Sequence, residues 1–367
     1  MKILYVTTIG GTMGFFKSLV KKLIDEGNKV DIATNEQTSS VPDCYREWGC
    51  KVFQISTSRS PFSFGNIKAI KQIRKIAVDY DIVHCHTPLA GLATRLACKP
   101  LRKKTGLKVF YTAHGFHFFK GAPKKNWLLY YPIEKICSKW TDTLITINKE
   151  DYELAKKKMK AQKVIYVSGV GVDINRFSKN AFAQTDMDTA KEELALKKDD
   201  IVLLSVGELS ERKNHKIVIQ AISKLGNPNI QYYIVGKGGL ESSLRALITN
   251  KNLDKQVHLL GFREDIPLLL SISDLFVFPS RQEGLPVALM EAISSKTPVV
   301  CSDIRGNVEL VCENQLFDCD DVDGLVNRIK SFIENGYKKE TEINYCNIHA
   351  FSIEKVIDVM LKIYSDN

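Results

Sequence analysis

The feature that most constrains this chain is an alternation of two periodicities that runs through it twice. Apolar runs of five to eight residues rich in Val, Ile and Tyr recur as KILYVTTI, NKVDIATN, KVFQI, DIVHC, LKVFYT, DTLITI and KVIYV. Between them lie stretches with apolar residues at helical spacing, such as FFKSLVKKLIDEG, FGNIKAIKQIRKIAVDY and NWLLYYPIEKICSKW. Short strands buried on both faces, alternating with helices, specify a parallel α/β sheet. The pattern breaks over residues 178–200, a polar stretch that suits a linker and a short surface helix. It resumes with IVLLSVG, HKIVIQAISKL, QYYIVG, LESSLRALI, QVHLLG, DLFVFP, EGLPVALME and TPVVCS. At 367 residues, 44% of them hydrophobic, the chain has material for two cores. Two α/β domains are therefore expected, 1–180 and 181–349, with a final helix in FSIEKVIDVMLKIYS packed on one of them. Doubly wound sheets in series make a cleft and bind ligands at the carboxyl ends of their strands.

Charge divides the halves. Residues 1–180 carry 31 Lys and Arg against 14 Asp and Glu, and the rest carry 21 against 28, so +17 and −7 make up the chain's +10. A basic half can face nucleic acid, an anionic membrane or a phosphorylated substrate, or simply be solvated. A recognition helix, an RNP-like aromatic strand and a zinc finger are all missing from the sequence, so no nucleic-acid partner is expected. The nine cysteines form no CxxC pair and no Cys/His spacing typical of zinc, which points to reduced thiols. The opening apolar run, MKILYVTTI, is too short for a membrane span and has no cleavage site, so the expected compartment is the cytoplasm.

Two glycine-rich turns follow strands. IGGTMGFF, with Gly10, Gly11 and Gly14, has GGxxG spacing rather than GxGxxG, and the second strand ends ATNEQ, with Glu36 two residues late for a ribose. A tight turn lining a cleft fits better than a nicotinamide site, which stays as the alternative. Gly236, Gly238 and Gly239 in YYIVGKGG read equally as a turn or a ligand contact.

The chemistry concentrates in EGLPVALME. Pro286 suits a first helical turn, so a helix should begin near residue 285 or 286, leaving Glu283 in the loop and Glu291 inside the helix, on the order of 8 Å further along its axis. Free amides of that first turn could hold an anion between the two carboxylates. A ligand with hydroxyls at both ends and phosphate between them fits, and a nucleotide sugar is one. In VGELSERKNHK, Arg212 and Lys213 follow the second domain's first strand, where two cations could meet a diphosphate and offset charge on a departing nucleoside diphosphate without a metal. In DIVHCHTP and FYTAHGFHFF, His84, His86, His114 and His117 stand at the ends of two strands, as contacts to a hydroxylated substrate, metal ligands or core histidines.

These residues resemble a known family. GELSERKN, EGLPVALME preceded by FPS and followed by TPVV and IRGN, the GG loop, TAHG and GVGVDINRF are similar to the retaining GT-B glycosyltransferases of family 4, over nearly the whole chain. TAHGFHFFKGAPKKNWLLYYPIEKICSKWTDTLITINKEDY looks like bacterial enzymes that extend lipid-linked oligosaccharides for capsule, exopolysaccharide or glycan assembly. The resemblance implies two Rossmann-like domains facing across a cleft, the first binding acceptor and regaining 350–367, the second binding donor. It implies that Glu283 contacts the donor sugar and Glu291 the ribose, that Arg212 and Lys213 bind the diphosphate with Gly284, Leu285, Pro286 and Gly11 nearby, and that His114 lines the acceptor side near the reacting carbon. His86 and His117 are expected beside His114. No cofactor and no divalent metal are implied, and UDP is the expected nucleotide. Many relatives have E-G-F-G where this chain has EGLP, a common variant. A polyprenyl-diphosphate acceptor implies peripheral attachment at the inner face of the cell membrane, through PLRKKTGLK and FFKGAPKKNWLLYY. A nucleotide-sugar epimerase of similar build is the nearest rival.

Overall fold

In a computed structural model that describes residues 1–58, 60, 63–178 and 181–366, the chain forms two compact units. The first comprises Met1–Val170 with Glu354–Asn367 and the second Gly171–Ile353. The divisions thus fall at 170/171 and 353/354, against the expected 180/181 and 349/350, and residues 179 and 180 lie outside the described residues. Local bonding explains the earlier break: Val172 pairs with Ser352 in a lone parallel bridge, and the Ile353 N–H donates to the Val172 carbonyl at 3.0 Å. Both crossings of the chain are tied together there, whereas the polar stretch after residue 180 supplies the helix Gln184–Glu193 to the second unit.

All seven strands expected in the first half form: β1 Lys2–Val6, β2 Lys29–Thr34, β3 Val52–Gln54, β4 Ile82–His86, β5 Lys108–Ala113, β6 Thr143–Thr146 and β7 Lys163–Tyr166. They make one parallel sheet in the order β3-β2-β1-β4-β5-β6-β7. Side chains alternate across it, as the strand period of two requires. Leu4 and Val6 join a core with the helices Phe64–Ala77, Pro88–Thr105 and Lys124–Ser138. Ile3 and Tyr5 join another with the helix Lys17–Asp25 and with Val356, Met360, Ile363 and Tyr364 of the terminal helix Ile353–Ser365. The C-terminal helix therefore packs on the first unit. A buried chain of polar atoms pins it: Thr112 Oγ1 to His84 Nε2 at 2.7 Å, His84 Nδ1 to Tyr364 Oη at 2.5 Å, and Tyr364 Oη to Tyr5 Oη at 2.6 Å.

The second sheet holds β8 Ile201–Val206, β9 Ile230–Val235, β10 Val257–Gly261, β11 Leu275–Phe278, β12 Val299–Ser302 and β13 Leu316–Phe317, all parallel, in the order β10-β9-β8-β11-β12-β13. Strand β13, two residues long, has too little pattern to be read from sequence. In both sheets the order reverses beside the first strand, between β1 and β4 and between β8 and β11. Loops leaving neighbouring strands diverge at such a point and open a crevice.

Candidate active site

The second switch point gathers the residues singled out by charge. Arg212 and Lys213 lie in the loop after β8, and Glu283 in the loop after β11. One carboxylate oxygen, Glu283 Oε1, accepts from both Arg212 Nη1 and Lys213 Nζ, each at 2.8 Å. The loops are also stitched by backbone: the Arg281 N–H donates to the Arg212 carbonyl at 2.8 Å, and Arg212 Nη1 to the Gln282 carbonyl at 3.1 Å. The side chains of Lys213 and Glu283 are 12% and 11% exposed, that of Arg212 43%. The Lys213 pair is therefore the strongly coupled one, and the Arg212 contact is screened by water. Burial pushes the Lys213 ammonium below its ordinary range while Glu283 pulls it back up. Its Nζ also lies 4.6 Å from the centroid of the Phe278 ring.

Glycines bring these loops close. Gly236 has φ +147°, and a Cβ there would strike the Gly207 carbonyl, while one on Gly306, at φ +82°, would strike that of Gly284. The turn reading of YYIVGKGG is thus the structural one. Beside Gly306, buried Arg305 donates from Nε to the Glu283 carbonyl at 3.1 Å. Arg305 had no role in the sequence reading. Its signal was available: IRGN follows β12, which leaves the same edge of the sheet as β8 and β11.

The helix after Glu283 spans Val287–Ser294, with Pro286 at its N-cap in extended conformation, one or two residues later than expected. Leu285 and Pro286 are buried, and the first helical amides come from Val287 and Ala288. Glu291 lies about one turn inside. Burial pushes its carboxyl up to about 7, with Arg176 opposing. The hydroxyls of Ser210 and Ser280, in the same two loops, are buried without hydrogen-bond partners.

In the first unit His84, His86 and His114 converge at the other switch point. His86 Nδ1 lies 3.1 Å from His114 Nε2, and the His86 ring stands 4.3 Å from that of Phe16 and 4.2 Å from that of His84. Burial depresses all three imidazoles, His84 to about 3 and His114 to about 4, so they are neutral near pH 7. His84 belongs to the buried pin on Tyr364, and the His117 ring lies 4.7 Å from that of Tyr130, tilted by 33°. Thr87, missed in the sequence reading, has φ +66°, a conformation β-branched residues avoid, and is held by Thr8 Oγ1 at 2.6 Å. Gly10–Phe16 forms a 3-10 helix in which Gly10 and Gly11 face Ser39 and Val41 closely. Glu36, the candidate ribose acid of a nicotinamide site, is taken by Arg46 at 2.8 Å and by the Val41 N–H at 3.0 Å.

Known proteins are similar to both units in sequence and in fold. Residues 2–148 match the family model "Glycosyl transferase 4-like" and residues 186–349 the model "Glycosyl transferases group 1". A putative glycosyltransferase of Bacillus subtilis, EpsD, is 36% identical over 320 residues, 86% of this chain and 82% of that one. An Escherichia coli enzyme named UDP-Gal:alpha-D-GlcNAc-diphosphoundecaprenol alpha-1,3-galactosyltransferase is 33% identical over 299 residues, 78% of this chain and 76% of its own. Among solved structures, Anabaena Alr3699/HepE in complex with UDP-glucose superposes over 100% of both chains with a TM-score of 0.82 at 19% identity, a likeness of fold. With two family models in series and a relative matched across most of both chains, this protein belongs to the GT-B glycosyltransferases of the group 1, family-4-like kind.

Proposed function

We propose that this glycosyltransferase moves a hexose or N-acetylhexosamine from a UDP-sugar to a polyprenyl-diphosphate-linked saccharide, with retention of anomeric configuration. The observation that carries the reading is the Arg212–Glu283–Lys213 cluster at the β8/β11 switch point, two cations on one carboxylate oxygen. A sugar diphosphate supplies what such a cluster recognises: anionic oxygens for Arg212 and Lys213, and sugar hydroxyls for Glu283. Amides at the start of the Val287–Ser294 helix suit the same phosphates, with Gly284, Leu285 and Pro286 shaping the approach and Glu291 receiving the ribose hydroxyls. Gly11 belongs near the phosphates, and His114, with His86 and His117, on the acceptor side. The names of the E. coli relative and of the UDP-glucose complex support UDP and a diphosphoundecaprenol acceptor.

In the reaction we assign, the acceptor hydroxyl oxygen attacks the anomeric carbon from the face that the diphosphate leaves. The bond from that carbon to the diphosphate oxygen breaks as the glycosidic bond forms, and the hydroxyl proton passes to a departing phosphate oxygen. Arg212 and Lys213 stabilise the charge growing on that group, a role that calls for no divalent metal. The acceptor lipid places the enzyme at the inner face of an anionic membrane, in the cytoplasm. The test is product release over a panel of UDP-, GDP- and ADP-sugars with a polyprenyl-diphosphate saccharide. Nucleoside diphosphate should appear only when acceptor is present and fastest from a UDP-sugar, with an α-donor giving an α-linked product by NMR. Donor conversion without acceptor, as by an epimerase, contradicts the assignment.

A further inference from the structure

The helix Lys124–Ser138 is amphipathic in an unusual sense: its outward face is the aliphatic one. Leu128, Leu129, Ile133 and Ile136 are 84%, 55%, 38% and 52% exposed. With Pro132, also exposed, they fall within an arc of about 140° at 100° per residue. Lys125 and Lys139 lie within the same arc at the two ends of the helix, and Lys124 and Lys135 border it. The aromatic residues of this segment face the other way. Trp127, Tyr130 and Tyr131 pack against the core, and Trp127 Nε1 donates to the Phe119 carbonyl at 3.2 Å.

The helix is fixed in this rotation by its one acid. Buried Glu134 accepts from Arg95 Nη1 at 2.7 Å, Arg95 Nη2 at 3.2 Å and Tyr111 Oη at 3.2 Å. The same ion pair offsets the one acid of this helix. The helices Phe64–Ala77, Pro88–Thr105 and Lys124–Ser138 share one core and together carry twelve Lys and Arg against Glu134 alone. Phe64 and Ile67, 87% and 58% exposed, add aliphatic and aromatic surface on the first of them.

From these placements we infer that the Lys124–Ser138 helix is an interfacial anchor: its Leu128, Leu129, Ile133 and Ile136 stripe enters the acyl boundary of an anionic phospholipid bilayer while the surrounding lysines meet the headgroups. This rests on the membrane-linked acceptor proposed above and goes beyond it, since charge alone would hold the protein only loosely on the surface. An aliphatic stripe ringed by cations is the arrangement of a helix that lies in an interface. Nucleic acid would use the cations and leave the leucines in water.

Vesicle sedimentation of the full chain tests it, with phosphatidylglycerol/phosphatidylcholine and pure phosphatidylcholine vesicles and no acceptor added. The wild type should prefer the anionic vesicles, and part of its binding should survive about 0.5 M salt, where surface charge is screened. A Leu128→Ser, Leu129→Ser, Ile133→Ser, Ile136→Ser variant should lose at least about tenfold in partition and all the salt-resistant part. A Lys124→Glu, Lys125→Glu, Lys139→Glu variant should lose at least about tenfold at low salt. Equal binding by the serine variant overturns the anchor, as does binding that appears only with acceptor lipid, or a wild-type oligomer that the serine variant dissolves. Transfer to a water-soluble acceptor separates the two readings. It should be unchanged in the serine variant, which also reports its fold. Vesicle binding without any transfer would sink the enzymatic reading and leave the anchor standing.

Discussion

At Glu283 two cations share one carboxylate oxygen. Arg212 and Lys213 bring two positive charges to a place where Glu283 cancels one, so the cluster retains a net attraction for a diphosphate. Replacing both cations by Ala should lower turnover by about 10²–10³ with the fold intact, measured as nucleoside diphosphate release under saturating acceptor. Glu291 makes a pH prediction. Burial holds its carboxyl at about 7, so near neutrality much of it is protonated, whereas ribose hydroxyls donate best to the carboxylate. Donor affinity should therefore rise as pH increases through about 7, and Glu291→Gln should flatten that dependence in calorimetric titrations. These acids and cations were legible because ionisable residues at fixed spacing leave a mark in the chain. Thr87 was not, since it stands out only by a dihedral angle; Arg305 is marked by IRGN after β12, but its contact is to a backbone carbonyl of a distant loop, which the chain does not announce.

Among the elements, the terminal helix shows how a distant segment completes a unit. Its Val356, Met360, Ile363 and Tyr364 cover the sheet face that carries Ile3 and Tyr5. Tyr364→Phe keeps the apolar contact but leaves His84 Nδ1 and Tyr5 Oη without their partner, and should cost about 1–3 kcal/mol in denaturant unfolding. An unchanged unfolding midpoint would mean that the polar pin is idle. Strands β1 to β12 were legible as short apolar runs alternating with helical periods, whereas β13, two residues long, was not. The EGLPVALME helix was legible to within a residue or two, since Pro286 caps it instead of starting it. The aliphatic outward face of Lys124–Ser138 was not: periodicity finds an apolar stripe without saying which way it turns, and only the buried Arg95–Glu134 pair decides that.

For the whole molecule, the sequence marks two α/β units and a sharp difference in charge, +17 over residues 1–180 and −7 over the remainder. The compact units divide at 170/171 and 353/354, and the polar stretch after residue 180 packs with the second, as Gln184–Glu193 does through the ion pair of Glu193 with Arg263 at 2.6 Å. Division of labour follows from the positions of the two switch points: the neutral histidines belong to the first unit and the charged cluster to the second. Under the proposed function this second-unit cluster holds the sugar nucleotide. Amide hydrogen exchange along the entire chain, with and without the nucleoside-diphosphate sugar that is turned over fastest, tests it most directly. Protection should concentrate in residues 207–214 and 280–291. Protection absent from both segments, and found instead around Gly10–Phe16, would contradict it.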